Sequence, residues 1–384
     1  MLHIKLGYTF SHAPVDKPHL DNPLFELLAA IHGTGSVAQA AERLNLSYRH
    51  VWGTLKKWEE SLGSDLILWE RGKRARLSGF GEKLLFAEQR AKTRVLPQLE
   101  NLVAEMEREF AFAFDPTTHV VSMVASHDMA LPRLKEFMAQ EAKLHLDLQF
   151  RGSMDCLAAL SRGECLLAGF HVSEDRAKGT LTQKAFKKLL KPGKHKLINF
   201  LGRQQGLMVR PGNPKNIRSL RDLKRADIRF INREDGSGTR LEIEQLLAAE
   251  NIAAASINGF DIVEPTHLAV AAAVASGQAD VGFGIQAAAA KSGLGFIPLL
   301  REQYYFVCLK ESLDEPAIVK LRDLLGRREW QLLINDLPGY DTQSAGNVIS
   351  LRKAMPWYSF KTEKLRAAAM EDRLEQDVVP ALHV

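Results

Sequence analysis

Between residues 22 and 63 the apolar positions recur at helical spacing, and polar caps divide them into three short helices. Asn22-Pro23 opens the first, with Phe25, Leu27, Leu28 and Ile31 on its buried side and Gly33 at its end. Ser36 caps the second, Ser36–Leu44, whose inward positions are Val37, Ala40, Ala41 and Leu44. Asn45-Leu46 makes a short turn. Ser47 then caps a third helix that runs to Leu62 and stops at Gly63, with Val51, Leu55 and Trp58 facing inward. An apolar strand, Leu66–Trp69, leads through the run ERGKRARLS, with its glycine turn, into another extended segment. Residues 80–112 read as one long helix striped by Leu84, Leu85, Ala91, Val95, Leu99, Leu102, Val103 and Met106, and Pro97 inside it predicts a kink. From about 118 to 345, short apolar runs alternate with helical patterns, the signature of an α/β domain. The predicted strands are His119–Ala125, Leu146–Phe150, Leu166–His171, Leu207–Arg210, Ile228–Ile231, Ala279–Ile285 and Tyr304–Cys308. The turn sequence DPTT marks the boundary before this domain, and a charged, helix-prone tail follows it. The opening HIKLGYTF is strand-like, a candidate edge strand beside the helices.

Composition sets the class. The chain has 384 residues, 46% hydrophobic and 25% charged, which excludes wholesale disorder. Cys156, Cys165 and Cys308 form no CxxC pair, so a disulfide scaffold or zinc module is not expected. The first residues lack the apolar core of a signal peptide, and the longest apolar run, near Leu268–Ala275, is too short to span a bilayer. The expected setting is cytoplasmic, with no membrane partner.

The net charge of +5 is mild, but between Arg43 and Arg94 there are twelve basic and six acidic residues. Helix, short turn, helix, then basic hairpin is the order of a winged helix-turn-helix, in which the second helix of the pair enters the major groove by its N-terminal turn. Ser47, Tyr48, Arg49 and His50 lie on that turn, with Lys56 further along; Arg49 suits a bidentate guanine contact. Arg71, Lys73, Arg74 and Arg76 on the wing suit phosphates. Taken singly, an Ala-rich helix pair is more often plain core and an RGKRAR run a solvated loop; their order is what points to double-stranded DNA.

The stretch GTGSVAQAAERLNLSYRHVWGTLKKWEESLGSDLILWERGKRARLSGFGEKLL resembles the winged-helix domain of LysR-type and ModE-type bacterial transcription regulators. The Ser47-Tyr48-basic-x-x-Trp52 pattern is closer to the ModE type. This resemblance implies a homodimer on a pseudo-palindromic operator, with Phe80–Phe110 as the linker helix; the same stripe could instead pack on its own chain.

In the α/β part, strand ends carry polar clusters: Ser126-His127-Asp128, Arg151-Gly152-Ser153-Met154-Asp155, and Asn232 to Arg240 before a helix Leu241–Glu250. Ligands bind open α/β sheets at that edge. Gly236 and Gly238 free the backbone, and a helix N-terminus favours an anion. Neither GK[ST] nor GxGxxG is present, so a nucleotide is not expected. His127, His171 and His267 lack metal-site spacing, and no nucleophile sits in a recognisable motif, so neither metal nor catalytic residues are assigned.

GLMVRPGNP, NREDGSGTR, EPTHLAVAAAVASGQADVGFGI and GLGFIPLL resemble the periplasmic-binding-protein-like domain, in its molybdate-binding-related branch. That implies two α/β lobes around a cleft, with candidate ligand residues Ser126, His127, Ser153, Ser237, Gly238, Thr239, Arg240, Thr266 and His267. Both resemblances point to molybdate or tungstate as effector, with no covalent cofactor. However, ModE-type regulators usually carry small β-barrel domains instead, and Arg233 and Arg240 equally suit a carboxylate or a phosphorylated, pterin-type metabolite. The expected organisation is a winged helix-turn-helix at 1–79, a linker and dimerisation helix at 80–115, a two-lobed α/β domain at 116–345 and a tail at 346–384. A carrier with a vestigial DNA module and an enzyme of molybdenum-cofactor metabolism are the rival readings.

Overall fold

The computed structural model describes residues 22–68, 75–114, 119–140, 144–173 and 181–355. The opening segment, most of the wing (Arg71, Lys73 and Arg74 included), the DPTT boundary and the tail from 356 lie outside the described residues.

The head is α1 (Pro23–Thr34), α2 (Val37–Arg43), α3 (Tyr48–Leu62) and a hairpin of β1 (Ile67–Leu68) with β2 (Arg76–Leu77). Asn22, Ser36 and Ser47 each cap a helix by accepting a backbone N–H. Gly33 does not end the first helix: it continues to Thr34, and Gly35 at φ 66° caps it. The turn before α3 holds Asn45 at φ 54°, a conformation asparagine tolerates. Leu27, Leu28, Ile31, Ala40, Ala41, Val51, Leu55 and Leu85 form one buried cluster. Glu59, buried on α3, accepts from Leu66 N (2.9 Å), Ile67 N (3.2 Å) and Lys56 Nζ (2.7 Å), and so ties the hairpin base to that helix.

From the head runs α4 (Gly79–Phe114), 36 residues long; Pro97 lies inside it without ending it. Next come β3 (His119–Ala125), α5 (Ala130–Met138), β4 (Leu144–Phe150), α6 (Ser153–Arg162), β5 (Leu167–Ser173) and α7 (Leu181–Phe186), which build one lobe. The long β6 (His195–Val209) crosses to the other, made of β7 (Phe230–Arg233), α8 (Gly238–Ala249), β8 (Val263–Glu264), α9 (His267–Ala275), β9 (Val281–Ile285) and α10 (Gln286–Lys291). The equally long β10 (Gly295–Leu309) returns. Then α11 (Pro316–Leu325), α12 (Arg328–Asn335), β11 (Tyr340–Asp341), β12 (Val348–Ile349) and α13 (Leu351–Ala354) complete the first lobe.

The sheet runs β4-β3-β5-β10-β6-β9-β7-β8, with β11 and β12 on β6. β3, β4 and β5 are parallel, as are β7, β8 and β9; β6 and β10 pair antiparallel with each other and with the lobe strands beside them. The two 15-residue strands are thus the connection between lobes. Phe200, Phe306, Trp330 and Ile318 fill one face of the first lobe, Phe170, Phe186 and Leu157 the other; Phe230, Phe283 and Ile243 fill the second. Val348–Ile349 pairs with β6, and Leu351 and Met355 are buried, so the first lobe extends ten residues past 345.

One stripe residue of α4, Leu85, is buried in the head on its own chain, and Ala104, outside the stripe, is buried further along. Leu102 stays half exposed.

Inside the junction, Arg203 is wholly buried between Asp128 (Nη1 to Oδ2, 2.5 Å) and Glu302 Oε1. Replacing Arg203 by Met leaves two carboxylates buried without a counter-charge, at a cost of about 3–5 kcal/mol. A urea melt of Arg203→Met should show a loss of that size, or a separate early transition of the ligand domain.

Candidate functional site

A cavity of about 200 Å³ lies between the lobes at the carboxyl ends of their parallel strands. The first lobe lends Ser126, His127, Phe150, Arg151, Gly152, Ser153 and His171; the second lends Arg233, Glu234, Ser237, Gly238, Thr239, Pro265, Thr266 and His267. Arg94, Pro97, Gln98 and Asn101 of α4 supply a further wall. Eight residues singled out from the sequence therefore meet around one space: Ser126, His127, Ser153, Ser237, Gly238, Thr239, Thr266 and His267.

Arg240 does not join them. Its Nε donates to Glu244 Oε1 (2.6 Å), Nη1 donates to Phe260 O (3.1 Å), and the guanidinium lies 4.2 Å from the centre of the Phe260 ring. One helical step beyond Thr239, it is carried to the outer side, where the acidic and aromatic partners hold it. Arg233, at the end of β7, is the buried cation that lines the cavity, with Nη2 on Pro265 O (2.7 Å).

Several hydroxyls are already in use. Ser237 Oγ accepts Arg240 N (3.2 Å) and donates to Glu234 O (2.8 Å). Thr266 Oγ1 accepts Ala269 N (3.0 Å). Both are helix caps at the cavity rim. Ser126 Oγ donates to Tyr304 Oη (3.1 Å) and lies 3.3 Å from His171 Nδ1. By contrast, Ser153 Oγ, Arg233 Nε, His127 Nδ1, His171 Nε2 and His267 Nδ1 are buried without a hydrogen-bond partner, with His171 Nε2 3.8 Å from Glu302 Oε2. Such atoms are rare in folded proteins, and a ligand or water is one way to satisfy them. The N-termini of α6, α8 and α9 reach the same cavity through Ser153, Gly238 and His267, adding backbone donors and partial positive charge.

The lobes touch closely beside it. A Cβ on Gly238 would sit 2.3 Å from His171 Nε2, so only glycine lets α8 start there.

Electrostatics follow from burial. Burial, then Arg233, pushes His127 down to about 4. Burial, with Arg203 and Arg233, holds His171 and His267 well below the usual imidazole range. Arg233 itself is lowered by burial to about 10 and stays charged at neutral pH. Burial raises the carboxyl of Glu234. At pH 7 the cavity thus presents the guanidiniums of Arg94, Arg151 and Arg233, the Glu234 carboxyl, neutral imidazoles and hydroxyls.

On the head, Ser47, Tyr48, Arg49 and His50 form the exposed leading turn of α3, with Trp52 exposed behind them. Lys56 is half-buried against Glu59 and Trp52, and Arg76 is exposed on β2.

The profile of the PBP superfamily domain matches residues 134–326, half of the chain. The chain belongs to the PBP superfamily. Residues 24–82 match the profile of the bacterial regulatory helix-turn-helix protein, lysR family, so a LysR-type helix-turn-helix is joined to a PBP-like ligand-binding domain. This is the architecture of a DNA-binding, LysR-type transcriptional regulator. The uncharacterized protein YvgK of Bacillus subtilis is 35% identical over 230 residues, 59% of this chain and 73% of that protein. An uncharacterized protein encoded in the 5′ region of a ferredoxin 2Fe-2S gene of Clostridium pasteurianum is 32% identical over 96 residues, 25% of this chain and 85% of that one. Among solved structures, an H2O2-bound mutant of OxyR from Corynebacterium glutamicum is 15% identical with a TM-score of 0.42, covering 80% of this chain and 92% of that one.

Beneath the PBP-domain cleft lies a network the sequence did not disclose. Glu302 Oε1 accepts from Arg203 and from Gln205 Nε2 (2.7 Å), and Gln205 Nε2 reaches Thr239 Oγ1 (3.4 Å). Asp128 Oδ2 accepts from Tyr340 (2.7 Å) as well as Arg203, so it is not the free base its place beside His127 suggests. Among the described residues, no helix is long and apolar enough to cross a membrane.

The depressed histidines set a pH dependence. The unfolded chain takes up their protons near 6.5, the folded one only near 4 for His127. Their contribution to stability is therefore complete above about pH 6.5 and is lost as pH falls toward 4. Urea melts at pH 7.5, 5.5 and 4.5 should show that decline, and His267→Gln should shrink it.

Proposed function

We propose that this protein is a cytoplasmic, homodimeric transcription regulator whose PBP-like domain senses a small anion, with molybdate or tungstate the first candidates. The observation that carries the reading is the cluster of unpartnered buried donors, Ser153 Oγ and Arg233 Nε foremost, facing a cavity ringed by three helix N-termini. A dianion would accept from these donors, and burial makes each charge-assisted bond strong. Ser126, His127, Thr239 and His267 complete the contact set; Ser237, Gly238 and Thr266 contribute mainly through the helix starts that they shape. Arg240 is left out of the contact set.

The head would read duplex DNA through Ser47, Tyr48, Arg49 and His50, with Lys56, Arg71, Lys73, Arg74 and Arg76 on phosphates. The exposed leading turn of α3 supports this, since no part of the described chain covers it. The half-exposed Leu102 on α4 suits packing against a second copy.

A larger carboxylate is the second reading. The cavity of about 200 Å³ exceeds several times the roughly 30 Å³ of one water, and Phe150, Pro97 and Pro265 give it apolar walls.

Thermal-shift titration with molybdate, tungstate, sulfate and small dicarboxylates tests the effector. A stabilising oxyanion should lose about ten- to a hundredfold in affinity in Arg233→Gln; stabilisation by none of the four would end the anion reading. Arg49→Ala should weaken binding to selected duplex DNA by about 1–3 kcal/mol, read by fluorescence anisotropy at fixed salt.

A further inference from the structure

The helix that leaves the DNA-binding head is also a wall of the ligand cavity. α4 is fastened to both lobes. On the first, Asn101 pairs twice with the backbone of Phe150: Nδ2 donates to Phe150 O (3.2 Å) and Oδ1 accepts Phe150 N (2.7 Å). On the second, Glu264 is completely buried beneath two arginines of α4. Arg94 holds it bidentately, Nε to Oε2 (2.5 Å) and Nη2 to Oε1 (2.7 Å), while Arg90 Nε donates to Oε1 (2.6 Å).

The charges around Glu264 do not balance. One carboxylate is shared by two guanidiniums, so it cannot fully neutralise both. Arg90 has Gln278 as its other partner and does not line the cavity. Arg94 lines it, with Gln98 one turn further on. Arg94, which shares its carboxylate with Arg90, therefore borders the same space as Arg233 and Glu234. An anion there meets a cation from the second lobe and a cation from the stem of the head.

We infer that α4 belongs to the effector site: Arg94 contacts the bound anion directly, Gln98 borders it, and Glu264 holds Arg94 in place. Occupancy then ties the stem of the DNA-binding head to the lobes. This rests on the anion reading above and adds to it the residues through which the ligand reaches the head.

The test uses the full-length protein and titrates molybdate, tungstate and succinate by calorimetry. Three variants are compared with the wild type: Arg94→Gln, Arg94→Lys and Arg90→Gln. Arg90→Gln removes a tie to Glu264 without touching the cavity. The expected result is a loss of about ten- to a hundredfold for Arg94→Gln, partial recovery in Arg94→Lys, and little change in Arg90→Gln. Equal losses in Arg94→Gln and Arg90→Gln would mean that Arg94 is only a fastening and would overturn the contact. Wild-type affinity retained in Arg94→Gln would remove α4 from the site and leave the anion reading standing. A wild type that binds none of the three would overturn both.

Discussion

The ligand domain is organised around one buried guanidinium. Arg203 comes from β6, Glu302 from β10 and Asp128 from the loop after β3, and all three are fully excluded from water. A charge buried without a partner is among the costliest features a fold can contain. The three segments therefore keep their relative positions as long as the pair of carboxylates must flank Arg203. Two hydrogen-bonded branches extend from it. Asp128 caps α5 through Ala130 N (2.7 Å) in the first lobe. Glu302 holds Gln205, which reaches Thr239 at the start of α8 in the second. Burial raises the desolvation penalty of Arg203, and the two carboxylates more than offset it, keeping the cation charged. That charge in turn helps to keep His171 and His267 neutral, so the polarity of the cleft and the geometry of the junction have a common origin.

What the sequence disclosed and what it hid follow the range of the forces involved. The head was legible because caps and helical stripes are local: Asn22, Ser36 and Ser47 need only neighbours two or three residues away. The junction strands were not. The sequence shows only Leu207–Arg210 and Tyr304–Cys308, yet β6 and β10 each run for 15 residues. Gly202, Arg203, Gln204, Gln205 and Gly206 break the apolar pattern of one, and Pro298 and Arg301-Glu302-Gln303 that of the other. These positions are polar because the network needs them, and their partners lie about a hundred residues away, beyond any local signal. The choice between Arg233 and Arg240 was hidden for a similar reason. Both flank the same glycine loop, and only the placement of Phe260, Glu244 and Pro265 decides which one faces inward.

The site also separates two uses of hydroxyl groups that look alike in sequence. Ser237 and Thr266 spend their oxygens on cap bonds, so their part in the cleft is to start helices whose N–H groups point at it. Ser153 begins α6 after Gly152, and its oxygen is not a cap acceptor; it is left without a partner inside the protein. A buried hydroxyl of that kind costs stability unless something else satisfies it. With Arg233 Nε in the same condition, the cavity favours a ligand rich in acceptors over an apolar one.

A ligand can shift a regulator only through a difference in its affinity for two arrangements. Closure of the lobes alone would inform the head only through the β6–β10 junction. In this chain the stem helix, both lobes and the cavity share the Arg94–Glu264 pair and the Asn101–Phe150 bonds, so lobe spacing and stem position are not independent variables. An arrangement that carries α4 away from the lobes forfeits the Arg94 cation at the cavity and leaves Glu264 buried with one guanidinium fewer. An anion at the proposed site would make that departure costlier by whatever its contact with Arg94 contributes. On the proposed site, the differential affinity that allostery requires would be located in a single side chain whose two faces serve the ligand and the lobe.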